Sequence, residues 1–198
     1  LLPGLRPIGD AHLVSPADGR LDAHGTIEAG RAVQAKGIDY DVAALVGDGV
    51  VAAAVDGGFF ATVYLSPADY HRVHSPFAGR VVGVRHIPGE LWPVNGLSVP
   101  FVDGLFRRNE RVVFDCELRD GSPAAVVMVG ATVVGAVRVS HPGVAIDASA
   151  RSSRYVSTPD WRLDAGDELG CFLLGSTVVV LVPAGERTWT AGYGDRVV

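Results

Sequence analysis

The sequence contains few cysteines, methionines and aromatic residues. Its 198 residues include two Cys, one Met and 8% aromatic residues. Cys116 and Cys171 lack the paired spacing of a zinc site, and two lone cysteines are typical of buried thiols in a reducing compartment. A disulfide-rich secreted domain is therefore not expected.

No apolar run is long enough to cross a membrane. The longest, residues 123–139, is interrupted by Gly130, Thr132 and Gly135, whereas a spanning helix needs ~20 apolar residues. A charged-then-apolar signal peptide is also missing, and the sequence begins at Leu1 rather than Met, which indicates a fragment or a trimmed chain. We predict two strands at 123–139 and a soluble or peripheral protein.

Positive charge is in deficit. The 17 Lys and Arg residues are outnumbered by 22 Asp and Glu, which gives a net charge of −5. Nucleic-acid binding depends on neutralising phosphates with basic side chains, so no nucleic-acid partner is expected. Lipids stay open as partners, because a local basic patch can coexist with an acidic total.

Glycine and proline, in contrast, are abundant. With 25 Gly, 12 Pro and 48% hydrophobic residues, the composition favours many short strands joined by turns. We predict a mainly β (α+β) fold: a compact β-sandwich or barrel-like single domain over residues 1–198, with short antiparallel strands and a few short marginal helices. The predicted strands are two within 10–29 about a turn at 15–19, then 30–38, 59–65, 80–87, 111–118, 124–129, 131–139 and 171–182; the predicted helical segments are 39–46, 48–56 and 66–74; the predicted loops are 88–109 and 140–165.

A short interruption, Gly175-Ser176-Thr177, divides the last predicted strand region. Glycine inside a strand pattern indicates a bulge or a bend. A second interpretation is a serine that attacks the carbonyl just before it, since Gly175 has no side chain to block the approach. The segment is not a lipase-type nucleophile elbow, which needs Gly two residues before and after the serine. On these residues alone both interpretations stay open.

Two histidines, His71 and His74, lie three residues apart on the helical turn predicted at 66–74. That spacing would place both on one face of the turn. They could be a surface pair, or they could share a metal ion, although no further ligands with a recognisable spacing accompany them. Asp18 lies in a tight turn, where Asp usually bonds its own backbone. A carboxylate, an imidazole and a hydroxyl together would make a nucleophile with an oriented base.

Several motifs resemble the phosphatidylserine decarboxylase family, and their order along the chain covers about residues 13–183. On these motifs the sequence is identified as a member of that family. The matching segments are 15–19 (SPADG), 34–40 (QAKGIDY), 64–76 (YLSPADYHRVHSP), 88–95 (PGELWPVN), 108–111 (RNER), 129–135 (VGATVVG) and 170–178 (GCFLLGSTV).

The resemblance implies a proenzyme that makes its own cofactor, a pyruvoyl group. His74, oriented by Asp18, would take the proton of the Ser176 hydroxyl, which then attacks the Gly175 carbonyl. The chain would be cut into a large piece, 1–175, and a small piece, 176–198, that begins with the pyruvoyl group derived from Ser176.

The resemblance also implies the reaction and its setting. The pyruvoyl group would form a Schiff base with phosphatidylserine and accept electrons as carbon dioxide leaves, giving phosphatidylethanolamine. His71 would reprotonate the product, supported by Asp69 and Tyr70, and no metal is expected. We expect a peripheral protein on the cytoplasmic side of the cell membrane, and the resemblance leaves a homodimer open.

The loop predicted at 88–109 is the candidate for substrate access. Apolar residues followed by Arg107 and Arg108 could dip into a bilayer and meet anionic headgroups, or the loop could fold over the protein's own core. The apolar residues are Leu91, Trp92, Pro93, Val94, Leu97, Val99, Pro100, Phe101, Leu105 and Phe106.

Three other functions stay open from the sequence. One is pyruvoyl-dependent decarboxylation of a soluble, for example aromatic, amino acid, because only about a dozen residues precede the Ser15-Pro16 motif, where the family usually carries an apolar region. The others are a non-catalytic binding domain that retains the fold and a metal-binding protein that uses His71 and His74.

Overall fold

The computed structural model describes residues 6, 8–9, 11–33, 39–94, 102, 104–131, 137–185, 188 and 190–198. Within them, short antiparallel strands dominate and three helices contain only 5, 6 and 4 residues. The strands are β1 Gly19–Glu28, β2 Arg31–Val33, β3 Asp39–Asp41, β4 Phe59–Tyr64, β5 Arg72–His74, β6 Gly79–Ile87, β7 Arg111–Leu118, β8 Pro123–Val129, β9 Val137–Val139, β10 Arg154–Leu163, β11 Glu168–Phe172, β12 Thr177–Val182 and β13 Arg196–Val197; the helices are α1 Val42–Val46, α2 Gly49–Ala54 and α3 Leu105–Arg108.

Most strands join one large antiparallel sheet in the order β10-β6-β7-β8-β12-β4-β1-β2-β3, and β13 pairs with β1. A second sheet has the order β5-β11-β9. The prediction of a mainly β fold with short marginal helices is confirmed.

The core lies on both faces of the large sheet. On one face, apolar side chains pack against residues of the three-stranded sheet such as Val73, Leu169 and Phe172. On the other face, the large sheet packs against the short helices through residues such as Leu45 and Phe106. Two sheets therefore form a sandwich, and the helices form a layer on its outer side.

Strand β12 lies near the middle of the large sheet, between β8 and β4. All six of its residues are buried. Because side chains alternate along a strand, Val178 and Val180 face one core while Val179 and Leu181 face the other. A run of β-branched residues suits a strand that is covered on both faces, which is why the sequence predicted this strand.

The predicted helical turn at 66–74 is wrong beyond its first residues. Residues 67–69 make a turn, but Arg72–His74 is strand β5, which pairs with β11. Tertiary pairing overrides the local helical preference here. The helical face that was expected to bring His71 and His74 together therefore does not exist.

The predicted loop at 140–165 is also wrong, because β10 occupies residues 154–163. This strand is mostly exposed and, among the described strands, pairs with β6 alone, with a register shift between Ser157 and Trp161. An edge strand that faces solvent carries little hydrophobic periodicity, and Pro159 lies within the irregular part.

Other predicted boundaries need smaller corrections. The strand expected before the turn at 15–19 is absent from described residues 11–18, which form bends. The helix predicted at 39–46 begins at Val42, because 39–41 pairs as β3. Of the strands predicted at 30–38 and 131–139, β2 and β9 are seen, while 34–38 and 132–136 lie outside the described residues.

The short helices begin where Asp side chains cap them. Asp41 accepts a hydrogen bond from the Ala44 N–H at 2.7 Å, and Asp48 accepts one from the Val50 N–H at 2.8 Å. The helices that the structure describes are all too short to cross a bilayer.

Candidate active site

Ser176 lies immediately before β12 and is fully buried. Its backbone carbonyl accepts a hydrogen bond of 2.7 Å from the Leu65 N–H, at the end of β4. Its hydroxyl donates a hydrogen bond to the carbonyl of Val129, the last residue of β8. Both neighbours of β12 therefore hold this serine, one through its carbonyl and one through its side chain.

Gly175 packs against backbone. A Cβ atom added to it would lie 2.5 Å from the Leu65 carbonyl oxygen, 2.7 Å from the Ser66 carbonyl carbon and 2.7 Å from the Pro67 nitrogen. These are main-chain atoms, which cannot move aside as the end of a flexible side chain can, so only glycine fits at this position without a shift of the backbone. The peptide bond between Gly175 and Ser176 is thus fixed against the segment that follows β4.

His71 is bound to that same segment. Its Nε2 donates a hydrogen bond of 3.0 Å to the Ser66 carbonyl oxygen. The Ser66 carbonyl carbon is one of the atoms that surrounds Gly175. The structure therefore brings His71 and Gly175 to the same peptide group.

Asp69 organises the turn that carries this peptide. One of its carboxylate oxygens accepts a hydrogen bond from the Ser66 N–H at 2.7 Å, and the other pairs with Arg196 at 2.6 Å. Burial acts to raise the pKa of Asp69, but the hydrogen bonds from Arg196 and Ser66 outweigh burial and lower the pKa. Asp69 is therefore ionised at neutral pH, as its bonding requires.

His74 has different partners. Its Nδ1 bonds the Gly166 carbonyl at 2.7 Å, and its Nε2 lies 3.3 Å from the Tyr70 hydroxyl, whose ring stacks on the imidazole. Because a carbonyl only accepts, Nδ1 carries the hydrogen, and Nε2 of the neutral ring keeps a lone pair. Burial raises the pKa of Tyr70, so its phenol keeps the proton that it donates to Nε2.

Asp18 is close to His74 in the fold, but the two side chains have separate partners. The Pro16 carbonyl accepts a hydrogen bond of 2.7 Å from the His74 N–H, which ties the turn at 15–19 to β5. The Asp18 carboxylate forms a two-nitrogen ion pair with Arg6. The orientation of His74 by Asp18 therefore stays a prediction, and in this geometry the Gly166 carbonyl holds the imidazole.

The metal alternative receives no support from this arrangement. Among the described residues, no three His, Cys, Asp or Glu side chains are grouped as metal ligands. The ring nitrogens already have protein partners: His71 Nε2 and His74 Nδ1 bond backbone carbonyls, and His74 Nε2 contacts the Tyr70 hydroxyl.

The prediction of a loop over 88–109 is wrong at its end, because helix α3 occupies Leu105–Arg108. The apolar residues of the segment divide between the two interpretations. Leu91 and Trp92 are exposed, at 37% and 41%, and the Arg108 guanidinium lies over the Trp92 ring. Leu105 and Phe106 are buried, because helix α3 turns them towards the core. Residues 95–101 lie outside the described segments.

Comparison with known proteins now identifies the family. The family model described as phosphatidylserine decarboxylase matches residues 1–198. The chain belongs to the phosphatidylserine decarboxylase family. This membership confirms the resemblance seen in the sequence motifs.

Individual relatives within the phosphatidylserine decarboxylase family agree. The chain is 50% identical over 192 residues to the "Phosphatidylserine decarboxylase proenzyme" of Anaeromyxobacter sp. (strain K), covering 94% of this chain and 67% of the relative. The protein of that name from Chromobacterium violaceum is 47% identical over 193 residues, covering 93% and 67%. The one from Methylibium petroleiphilum is 46% identical over 198 residues, covering 98% and 69%. The chain thus spans about two thirds of these relatives.

Several groups around Ser176 and the two histidines could not be predicted from the sequence. The carbonyls of Val129 and Gly166 are backbone acceptors, which leave no signal in residue identity. Arg6 and Arg196 are far in sequence from the carboxylates they pair with, and lone arginines on a polar surface are common. Only the tertiary structure reveals these four groups.

We expect Gly175→Ala to destabilise the uncut chain. The added methyl group would overlap three backbone atoms, and overpacking of this kind costs about 1–3 kcal/mol. The measurement is the free energy of unfolding in urea, made in a Ser176→Ala background so that every sample is a single polypeptide.

Gly49→Ala is the matched control. A Cβ at Gly49 would meet nothing within 4 Å, and alanine is the better residue at a helical position by up to ~1 kcal/mol. The packing account fails if Gly175→Ala is as stable as this control.

Proposed function

We propose that this chain is a proenzyme that cleaves itself between Gly175 and Ser176 and then decarboxylates phosphatidylserine to phosphatidylethanolamine. One observation carries the proposal: a fully buried serine hydroxyl lies directly after a glycine whose surroundings exclude any side chain. A bulge or bend alone does not require a buried hydroxyl. Family membership adds independent support.

Self-cleavage begins when Ser176 loses its hydroxyl proton and its oxygen attacks the Gly175 carbonyl carbon. The Gly175–Ser176 amide bond breaks as an ester bond forms, and the nitrogen of residue 176 gains a proton. Elimination then removes the Cα proton of residue 176 and breaks the bond between its Cβ and the ester oxygen, which leaves a carboxylate on Gly175 and a dehydroalanine at 176. The dehydroalanine takes up a proton at Cβ and becomes an imine. Water replaces the nitrogen, ammonia leaves, and residue 176 becomes a pyruvoyl group.

His74 is the proposed base for the first step. Its Nδ1–H is held by the Gly166 carbonyl, so its lone pair is at Nε2, as in bases that activate a serine. Nε2 would have to exchange the Tyr70 hydroxyl for the Ser176 hydroxyl. Asp18, which the Pro16–His74 backbone bond keeps nearby, would stabilise the imidazolium that results.

Residue 176 is well placed to carry the cofactor. Its carbonyl is bound by the Leu65 N–H and the residue is fully buried, which strengthens electrostatic interactions with a reacting group. The pyruvoyl group would supply a ketone that binds an amine and accepts electrons from a breaking carbon–carbon bond. We propose that His71, on the Ser66 carbonyl beside Gly175, delivers the proton that replaces the lost carboxylate.

The small piece, 176–198, would stay bound after the cut. Strand β12 pairs with β4 at six positions and with β8 at five. Five buried apolar side chains, 178–182, contribute ~1.5–3 kcal/mol each. At the other end, β13 pairs with β1 and Arg196 binds Asp69. Noncovalent contacts therefore hold the piece to the rest of the protein at both of its ends.

Two features support a lipid substrate. The first is the exposed pair Leu91 and Trp92, whose apolar side chains suit the boundary between acyl chains and headgroups. Arg108 lies over the Trp92 ring and pairs with Glu90, so it supports this tip rather than adding net positive charge. We therefore propose a peripheral position on the cytoplasmic side of the cell membrane, with this surface against the lipid.

The second feature is an open apolar cavity of about 980 Å³ beside β1, β4 and β12. Its volume and lining suit a lipid acyl chain. It borders the site, since Pro16 lines it and also bonds the backbone of His74. The other lining residues that the proposal uses are Ala61, Val63, Val180 and Val182.

Single substitutions of the two histidines should separate their roles. His74→Ala should leave an uncut precursor, because Ser176 loses its base. His71→Ala should be cut but should release carbon dioxide about 10²–10⁴-fold more slowly, the usual loss on removing a general acid. Gel analysis of the two pieces and carbon dioxide release measure both effects.

His141→Ala serves as the control, because His141 packs on Trp161 away from these contacts. The opposite pattern would exchange the two roles. Normal cutting and normal turnover in both variants would contradict the proton-transfer assignment altogether.

The substrate is tested by comparing phosphatidylserine in vesicles with free serine and free aromatic amino acids. We expect carbon dioxide from the lipid at a kcat/KM at least about tenfold higher. Faster release from a free amino acid would overturn the lipid assignment. Trp92→Ala should raise the apparent KM on vesicles, whereas Tyr193→Ala, which removes an aromatic ring that is even more exposed (57% against 41%), should not.

A further inference from the structure

Asn109 is a fully buried polar residue between the exposed loop and the site. Its side-chain Nδ2 donates to the Trp92 carbonyl at 2.8 Å and to the Gly130 carbonyl at 2.8 Å. Its Oδ1 accepts a hydrogen bond of 3.0 Å from the Trp92 N–H. Both hydrogens of the amide and its oxygen thus bond backbone groups from two different segments, and leaving these groups unpaired in a buried site would cost stability.

The carbonyl that Asn109 binds is adjacent in the chain to the carbonyl that binds Ser176. The Gly130 N–H donates to the Glu110 carbonyl at 2.7 Å, while the Val129 carbonyl of the same peptide group accepts the Ser176 hydroxyl. The next carbonyl, that of Gly130, is the one that Asn109 holds. Asn109 and Glu110, adjacent in sequence, therefore fix the peptide that orients the serine side chain.

We infer that Asn109 is a positioning residue for self-cleavage, an inference that rests on the proposed cut before Ser176. By holding the Gly130 carbonyl, it aims the neighbouring Val129 carbonyl at the Ser176 hydroxyl. This limits the rotation of the serine side chain and keeps its oxygen close to the Gly175 carbonyl. Reactions inside a chain are very sensitive to such alignment.

The contact also exists only before the cut. A hydroxyl can donate to the Val129 carbonyl, but a ketone at residue 176 has no hydrogen to donate. Loss of Asn109 should therefore slow self-cleavage more than it slows turnover by chains that are already cut. A residue needed only for folding would not separate the two rates.

Asn109→Asp tests this directly, because it keeps the shape and the acceptor for the Trp92 N–H. It replaces the Nδ2 donor with a carboxylate oxygen that faces the Trp92 and Gly130 carbonyls, so the hydrogen bond to the Gly130 carbonyl is lost. Asn109→Ser is a milder second variant that answers the question if the Asp variant does not fold. Thr158→Val is the matched control. Thr158 is also buried, and its hydroxyl donates a hydrogen bond of 3.1 Å to the Val81 carbonyl. It lies on β10, which is four strands away from β12 in the large sheet.

The full chains are made by cell-free translation with a radioactive label, and the two pieces are followed on gels over time. Carbon dioxide release from phosphatidylserine vesicles is divided by the amount of cut chain, and the midpoint of thermal unfolding monitors folding. We expect cutting in a folded Asn109 variant to be at least about tenfold slower than in Thr158→Val, with a much smaller fall in turnover per cut chain.

Cutting within about twofold of Thr158→Val, or an equal fall in cutting and turnover, would overturn the inference. A wild-type chain that is never cut would instead refute the proposed function, and the role of Asn109 with it. The wild-type lane therefore distinguishes failure of the positioning inference from failure of the proposed function.

Discussion

One close approach between two backbones governs the site. The chain that enters β12 passes so near to the end of β4 that position 175 has no room for a side chain. The Leu65 N–H then donates a hydrogen bond to the carbonyl of Ser176, and the Ser176 hydroxyl donates one to the Val129 carbonyl at the end of β8. A residue held on both sides by neighbouring strands has little freedom, and the proposed self-cleavage depends on this confinement.

The same arrangement separates the two ends that a cut would create. Residues after the bond belong to a buried central strand, whereas Leu173, two residues before Gly175, is 62% exposed. The new carboxylate end could move away from the site without disturbing the sheet. The end that carries the cofactor would remain fixed by strand pairing. The sheet would thus keep residue 176 fixed, and movement of the exposed segment before it would open a path for substrate to that residue.

The polar groups around the site follow a related logic. His71, His74 and Ser176 each bond a backbone carbonyl, and these carbonyls belong to Ser66, Gly166 and Val129. The carboxylates of Asp18 and Asp69 pair with arginines near the two ends of the chain. The backbone carbonyls therefore decide which ring nitrogen of each histidine carries the hydrogen.

Much of this could be predicted from the sequence. The valine run of β12 and the Gly-Ser-Thr interruption both have local physical causes. Strands β5 and β10 could not be predicted, because their pairing depends on distant partners and their side chains are largely polar or exposed. The histidine spacing was misleading for the same reason: strand pairing at Arg72–His74 replaced the expected helical face.

The most direct measurement is the intact mass of the freshly purified protein, compared with Ser176→Ala. We expect the wild type to give two pieces divided after Gly175, whose summed mass exceeds the precursor by one water less one ammonia. The smaller piece should lack a free terminal amine, and Ser176→Ala should remain whole. A folded wild-type chain that stays unbroken, or pieces whose sum gains a full water, would contradict the account.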